Sequence, residues 1–162
     1  MSIVSVEKDL EELALVVVAE FDAPIEQVWE LWADPRKLER WWGPPTHPAT
    51  FETHDLAAGG EVTYFMTGPE GERSRGWWRV AAAEPPGRLD FTDGFANADG
   101  TPDGDMPTTE VRMRLADRDG GTRMELCFAF ASHEHMRMLE RWGAFDVFPE
   151  SVRQMDAVLA TS

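Results

Sequence analysis

Residues 21–45, FDAPIEQVWELWADPRKLERWWGPP, most constrain how this chain can fold, because 25 residues hold two helix starts and two adjacent tryptophans. Pro24 follows the cap candidates Asp22 and Ala23, and proline is well tolerated at the first position of a helix. The apolar residues that follow recur at spacings of three and four, namely Ile25, Val28, Trp29 and Trp32. This periodicity predicts an amphipathic helix that packs on another layer.

Asp34 and Pro35 repeat the cap-plus-proline signal, so we expect a second short helix that ends at residues 43–45, GPP. Trp41 and Trp42 lie at its end. Adjacent side chains on a helix point about 100° apart, so the two indoles cannot both be buried on one helical face. We expect one of them to border the mouth of a cavity, the alternative being that it staples the helix pair to a sheet.

Alternating apolar residues predict strands in much of the remaining chain. In residues 109–115 the apolar side chains Val111, Met113 and Leu115 alternate with Glu110, Arg112 and Arg114. Turn residues such as Gly59-Gly60 and Asp119-Gly120-Gly121 separate the apolar runs. The predicted strands cover residues 13–21, 49–53, 61–67, 73–83, 89–92, 109–115 and 124–130. Residues 93–107 are acidic and rich in glycine, and we expect them to form a long loop.

The pattern becomes helical from Ser132 onwards, with Pro149 kinking or restarting the helix. The sequence thus predicts one α+β domain of residues 1–162 with a core of about 13–159. We expect a curved antiparallel sheet of six or seven strands. Two short helices follow strand 1, and a long C-terminal helix grips the sheet. One helix cannot fill the hollow of such a sheet, so we expect a hydrophobic cavity beneath it.

Charge composition excludes several classes of partner. The chain has 15 Lys and Arg against 30 Asp and Glu, a net charge of -15, which repels nucleic acids and anionic membrane surfaces. Its apolar runs are shorter than the ~20 residues of a membrane span, and its acidic first residues do not resemble a secretion signal. We therefore expect a cytoplasmic protein that contacts neither nucleic acid nor membrane. The single cysteine, Cys127, excludes an intramolecular disulfide and predicts a buried, inert thiol.

Short motifs along nearly the whole chain resemble those of one known family. They include AP-x-x-x-VW at residues 23–29, RWWGP at 40–44, M-x-GPEG at 66–71, LDFTDGF at 89–95 and DGGT at 119–122. In this order they resemble the START-like, or birch-pollen-allergen-like, superfamily of polyketide cyclases, dehydrases and lipid carriers. The most similar branch is bacterial and resembles the C-terminal domain of the activator of the ninety-kilodalton heat-shock protein ATPase.

The resemblance implies a helix-grip fold around a ligand cavity, but it is incomplete in two places. Relatives often carry glycine and tryptophan near the start of the last helix, where this chain has residues 146–149, DVFP, and Phe148 takes the tryptophan's place. The additional N-terminal domain of the true co-chaperone is not expected here, because about a dozen residues precede the first predicted strand. We therefore do not carry the co-chaperone function over.

The predicted inward faces supply aromatic and methionine residues that we expect to line the cavity. The candidates are Trp32, Trp41, Trp42, Tyr64, Met66, Trp78, Phe91, Phe95, Met113, Phe128, Met136, Trp142, Phe145 and Phe148. For each of these residues, simple core packing is the alternative role. Candidate polar groups are His47, after the WWGPP turn, and Arg75 and Arg112, on strands. For these two arginines, and equally for Glu20 and Glu61, an error of one residue in the predicted strand parity would turn the charged side chain inward.

Metal binding is not expected. The chain has four histidines, and the spacing of His133 and His135 does not place two ligands on one helical face. We expect residues 132–136 to form the cap and first turn of the last helix instead. The sequence also lacks a nucleophile elbow and a phosphate-binding glycine loop, and we expect no cofactor.

These patterns favour a protein that binds a small hydrophobic molecule, aromatic or lipid-like, between the sheet and the last helix without catalysis. The acidic loop and the WWGP turn are the expected gate. One alternative is an enzyme of cyclase or hydrolase type on a polyketide-like substrate, which would need a hydrogen-bonded acid or base in the cavity. Another is an interaction protein that modulates a chaperone or regulator through Trp77, flanked by Arg75 and Arg79, a patch that could also form a homodimer.

Overall fold

Eight antiparallel strands form one curved sheet in the computed structural model, which describes residues 2–161. The strands are β1 (Ser2–Asp9), β2 (Ala14–Phe21), β3 (Ala49–His54), β4 (Glu61–Thr67), β5 (Arg73–Glu84), β6 (Arg88–Ala96), β7 (Thr109–Arg118) and β8 (Gly121–Phe130). Their order across the sheet is β1-β2-β8-β7-β6-β5-β4-β3. The chain after the helix pair therefore crosses the sheet strand by strand from β3 to β8, and β8 closes against β2.

The sequence prediction of six or seven strands was too low because it omitted β1. This strand pairs only with β2 and so forms an edge of the sheet. Two of its apolar side chains, Val4 and Val6, are 55% and 40% exposed. Since edge strands need no fully buried face, the apolar pattern of β1 is too weak to distinguish it from an acidic leader. The folded core accordingly begins before residue 13.

Strand parity follows the predicted alternation. In β7, Thr109, Val111, Met113 and Leu115 are buried, while Glu110, Arg112 and Arg114 are exposed. In β5 the inward residues are Gly76, Trp78 and Val80, as the sequence predicts. Glu61 of β4 is exposed and lies opposite Arg79 of β5.

Strand β6 extends farther than predicted. The sequence placed the end of this strand at residue 92 and began a loop at 93, whereas the strand continues to Ala96. Asp93 lies between Trp78 of β5 and Thr109 of β7, and Phe95 lies opposite Gly76. Backbone pairing to two neighbours therefore overrides the loop preference of the Asp-Gly sequence at residues 93–94.

Two helices connect β2 to β3, as predicted. They are α1 (Ile25–Ala33), which buries Ile25, Val28, Trp29 and Trp32 together with Leu31, and α2 (Pro35–Leu38). The Asp34 side chain caps α2 by accepting a hydrogen bond of 2.9 Å from the backbone N–H of Arg36. Trp41 and Trp42 follow α2 in a turn.

The C-terminal helix is three segments rather than one long helix. These are α3 (His133–Arg141), α4 (Ala144–Arg153) and α5 (Met155–Ala160). Ser132 caps α3 by accepting a hydrogen bond from the N–H of His135, which confirms the predicted cap. The helix breaks at Gly143, whose left-handed φ of 85° suits glycine, and again at Gln154, whereas Pro149 lies inside α4. The predicted alternative of a restart at Pro149 was therefore wrong, because α4 continues through this residue.

A cluster of aromatic rings forms the core between α1, the turn after α2 and the middle of the sheet. Trp32 contacts Trp41 edge-on with ring centroids 4.6 Å apart, and Trp78 stacks on Phe91 at 4.0 Å. Both contacts have geometries that add to the stabilisation from apolar burial. No helix within residues 2–161 combines the length and apolar character that a membrane crossing requires.

Candidate functional site: a cavity between sheet and helices

A cavity of about 150 Å³ lies between the inner face of the sheet and helices α3 and α4. The turn after α2 contributes Trp41, Trp42 and Gly43. The strands contribute Tyr64, Met66, Asp93, Phe95, Thr109, Leu126 and Phe128. Helices α3 and α4 cover the cavity with Leu139, Ala144, Val147, Phe148, Ser151 and Val152. Its wall is mainly apolar and aromatic, with a few polar groups.

Half of the predicted aromatic and methionine candidates border this cavity. They are Trp41, Trp42, Tyr64, Met66, Phe95, Phe128 and Phe148. Phe148 stacks on Phe128 with ring centroids 4.0 Å apart and planes 4° from parallel, which seals the cavity beneath α4. Phe148 is thus an aromatic side chain of α4 that faces the sheet.

The other candidates lie away from the cavity wall. Trp32, Trp78, Phe91, Met113 and Met136 are buried in the surrounding core. Phe145 is half-buried and stacks on Phe130 at 5.5 Å, while Trp142, at the end of α3, is 51% exposed. Period-two and helical patterns separate inward from outward residues, but they do not separate core residues from cavity residues on the same face.

Trp41 and Trp42 are both buried, with 1% and 6% of their surfaces exposed, and both contact the cavity. The prediction that the second helix extends to both tryptophans was wrong: α2 ends at Leu38, so the 100° spacing of a helix does not apply to them. The indole N–H of Trp41 donates a hydrogen bond of 2.8 Å to the carbonyl oxygen of Leu31 in α1. This bond fixes one wall of the cavity to the helix pair.

Gln154 holds the same turn from the other side. Its side-chain amide donates hydrogen bonds to the carbonyl oxygens of Trp41, at 3.2 Å, and Gly43, at 2.6 Å. Gly43 has a φ of 91°, which allows the sharp exit from the two tryptophans. The junction between α4 and α5 is thereby tied to the turn that forms the cavity wall, a link that no sequence pattern indicated.

Asp93 and Tyr64 form the main polar group of the cavity. The Tyr64 hydroxyl donates a hydrogen bond of 2.8 Å to Oδ1 of Asp93. Asp93 is half-buried and borders the cavity, and desolvation by the surrounding protein raises the pKa of its carboxyl to about 7. Burial, together with the neighbouring Asp93, raises the pKa of Tyr64 well above its ordinary value.

Two indole N–H groups lie beside this pair without hydrogen bonds. Within residues 2–161, Nε1 of Trp42 and of Trp78 are buried and have no partner in hydrogen-bond geometry. Both indoles act to lower the pKa of Tyr64, and Trp78 also acts to lower the pKa of Asp93. They therefore favour the ionised forms of these two side chains. A buried unused donor is costly unless a ligand or water satisfies it, and of these two indoles Trp42 borders the cavity.

The predicted polar groups lie elsewhere. His47 shares a hydrogen bond of 2.8 Å with the Thr46 hydroxyl outside the cavity. Arg75 points away from the inner face and pairs with Glu52 at 2.7 Å, and Arg112 is exposed on β7. The parity of the strands thus keeps both arginines outside, and the cavity takes its polar character from Asp93 instead. A sequence signal for Asp93 does exist, since Leu89, Phe91, Asp93 and Phe95 share one parity.

Trp77, the centre of the predicted interaction patch, is half-buried on the outer face of β5. Its indole lies against Gly94, where an added Cβ would overlap the ring. Its N–H donates a hydrogen bond of 2.9 Å to the carbonyl oxygen of Phe95. The indole is thus used within the chain, which leaves the patch less support than an exposed tryptophan would give.

Comparisons with known proteins agree with this architecture. The family model for "Activator of Hsp90 ATPase homolog 1-like protein" matches residues 22–160. A solution structure of a protein from Arthrobacter aurescens is 45% identical with a TM-score of 0.95, over 99% of this chain and 94% of the other. A crystal structure of a protein from Mycobacterium smegmatis is 42% identical with a TM-score of 0.88, over 97% of this chain and 96% of the other.

A crystal structure of a protein from Rhodobacter sphaeroides is 26% identical with a TM-score of 0.84, and each chain is covered over 100% of its length. No curated protein matches the sequence.

Proposed function

Because the chain belongs to the family of Activator of Hsp90 ATPase homolog 1-like proteins, a branch of the START-like superfamily, we propose that it binds a small apolar molecule in the cavity without catalysis. The cavity between Trp42, Phe128 and Phe148 is the observation that carries this proposal. Preformed apolar pockets with a few polar groups are the usual form of small-molecule sites.

The size of the cavity favours an aromatic ligand over a lipid. An engineered apolar cavity of about 150 Å³ in another protein stays dry and binds benzene, and the volume here is also about 150 Å³. One aromatic ring with a small substituent therefore fits. A long acyl chain or a polyketide of several rings needs more space, which α3 and α4 would have to provide by moving.

Phe95 and Trp142 are the proposed gate. Phe95 borders the cavity and contacts Trp142 edge-on, with ring centroids 5.9 Å apart. Trp142 is 51% exposed and immediately precedes the break at Gly143. Rotation of this indole, with a shift of the short α3, would open a path from solvent to the cavity.

Native mass spectrometry and tryptophan fluorescence test the binding function. In the mass spectra we expect a co-purifying small molecule that a denatured control releases. Alternatively, toluene and indole should quench the fluorescence saturably, because Trp41 and Trp42 contact the cavity. Val147→Phe, which fills the cavity from α4, should abolish the quenching, whereas Asp146→Asn on the exposed side of α4 should not. A clean apo mass and no saturable response to any one-ring compound would overturn the proposal.

A second candidate, an acid–base enzyme, is favoured by one observation. Asp93 is a hydrogen-bonded carboxyl in an apolar cavity, and such a group can take a proton from the carbon beside a carbonyl and return it. Incubation with acetophenone in deuterated water tests this role. Deuterium incorporation that Asp93→Asn abolishes would support an enzyme, and no incorporation above the buffer rate would leave the binding function alone.

A further inference from the structure

Asp93 is a carboxylate site without a counter-charge. Within residues 2–161 the groups that stabilise its charge, the Tyr64 hydroxyl and the nearby Trp78 indole, are both neutral, and it forms no ion pair. The lining residues that the structure describes include no lysine, arginine or histidine. Buried carboxylates in proteins are normally paired with a cation, because an isolated buried charge is strongly unfavourable. The described lining of the cavity therefore supplies no positive group to its single acid.

We propose that the ligand supplies this group, and that the cavity binds a small one-ring aromatic amine whose ammonium pairs with Asp93. This inference rests on the proposed binding function and specifies its ligand class. Oδ1 of Asp93 accepts the hydrogen bond from Tyr64. Asp93 borders the cavity, so a ligand there can donate a hydrogen bond to the same carboxyl.

The aromatic wall favours the same ligand. Rings of Trp42, Tyr64 and Phe95 border the cavity around Asp93, and Phe128 and Phe148 border it beneath α4. The faces of these rings are negative, so they stabilise a cation nearby and stack with an aromatic ring. The net charge of -15 acts in the same direction, since it raises the local concentration of cations and disfavours anionic ligands.

The pH dependence of binding follows from the groups that face Asp93. Tyr64 of β4 is the other titratable group, while β5 presents Trp78 and β7 presents Thr109. The helices above contribute uncharged residues such as Leu139 and Ser151. Between pH 5 and 8 the relevant titration is thus that of Asp93, with a pKa of about 7. A bound ammonium stabilises the carboxylate, so amine affinity should rise with pH through this range and fall when the amine deprotonates, at about pH 9–10.

The test compares benzylamine, benzyl alcohol and toluene by tryptophan quenching at pH 5.5 and 8. The first two compounds have the same shape but differ in charge, and toluene lacks the polar group. Benzylamine should bind at least about tenfold more tightly at pH 8 than at pH 5.5, whereas the affinities of the two neutral compounds should not change in that direction. Asp93→Asn should remove the preference for benzylamine and its pH dependence.

Tyr64→Phe provides a second variant that keeps the carboxyl. The Tyr64 hydroxyl lowers the pKa of Asp93, so its removal should move the rise in benzylamine affinity to higher pH. A merely structural role for Asp93 would not produce this shift. If toluene or benzyl alcohol binds and benzylamine binds more weakly than they do at pH 8, the amine inference is overturned while the binding function stands. Failure of all three compounds to bind would overturn both.

Discussion

Gly76 determines how the Tyr64 side chain lies in the cavity wall. The two residues are opposite each other on β5 and β4, and a Cβ at position 76 would overlap the end of the tyrosine ring, including its hydroxyl. Gly76 is on the buried face of its strand, where a larger residue would normally contribute to packing. The absence of a side chain here lets the tyrosine lie flat across the strand and reach Asp93.

Gly76→Ala should therefore displace the Tyr64 hydroxyl and break its hydrogen bond to Asp93. We expect the free energy of unfolding to fall by about 1–3 kcal/mol, as for other overpacked sites, and the quenching by one-ring compounds to weaken. Urea unfolding measures the first effect and fluorescence the second. Gly104→Ala is the matched control, because an added Cβ there meets nothing within 4 Å. Equal stability of the two variants would show that the wall adapts to the added methyl group.

Asp93→Asn gives a second prediction at the residue scale. The pKa of Asp93 is about 7 in the folded protein against an ordinary value of 3.8, so the folded state binds this proton more tightly than the unfolded state. The associated stability is present at low pH and is lost as the pH rises from about 4 to 7. The asparagine variant has no such loss, so its stability relative to wild type should increase by about 2–3 kcal/mol between pH 5 and 8.

Urea unfolding of both proteins at several pH values measures this difference. Asp117→Asn is the control, because it makes the same substitution on the exposed end of β7, outside the cavity. If the difference for Asp93→Asn stayed constant across this range, the carboxyl would be ionised throughout.

At the scale of elements, the C-terminal part of the chain forms three short helical segments where a long helix, kinked or restarted at Pro149, was predicted. Each segment has its own attachment. Lys8 of β1 pairs with Glu140 of α3 at 2.8 Å, Phe148 of α4 stacks on Phe128, and Gln154 holds the turn after α2. The ion pair is exposed and contributes little, since such pairs are typically worth about 0.2–1 kcal/mol. The amide of Gln154 is therefore the stronger link between the helices and the cavity wall.

Gln154→Leu should loosen this link while keeping the volume of the side chain. The carbonyl oxygens of Trp41 and Gly43 would lose their donor, which should cost about 1–3 kcal/mol of stability. Amide hydrogen exchange in residues 41–43 should become faster. Arg153→Ala, exposed at the end of α4, is the control and should leave the exchange of these residues unchanged. Unchanged exchange in Gln154→Leu would mean that packing alone holds the turn.

At the scale of the whole molecule, the sequence predicted the fold class and most of the sheet. Strands with one wet face, such as β7, alternate strictly, and helices such as α1 begin at a proline and bury one stripe. Such patterns record burial directly. The sequence did not predict β1, because an edge strand with exposed valines does not alternate in burial. It also did not predict the break at Gly143, because Pro149 was the stronger local signal.

The site was less predictable than the fold. The sequence predicted the aromatic residues of the cavity wall together with residues of the same parity, such as Trp78 and Phe91, that lie in solid core, and only the three-dimensional packing separates the two groups. Asp93 was missed because its Asp-Gly sequence reads as a turn, while backbone pairing to β5 and β7 holds it in a strand. A site formed by side chains from the turn, four strands and two helices has no local sequence signature.

Tyr64 is the single tyrosine of the chain, and it lies in the cavity wall with its hydroxyl on Asp93. Biosynthetic incorporation of 3-fluorotyrosine would therefore give one ¹⁹F resonance, and that resonance would come from the site itself. Its chemical shift would follow the titration of the neighbouring carboxyl and the arrival of any bound molecule without assignment of other signals. The composition of the chain thus provides a spectroscopic reporter at the one place where a ligand and a proton meet.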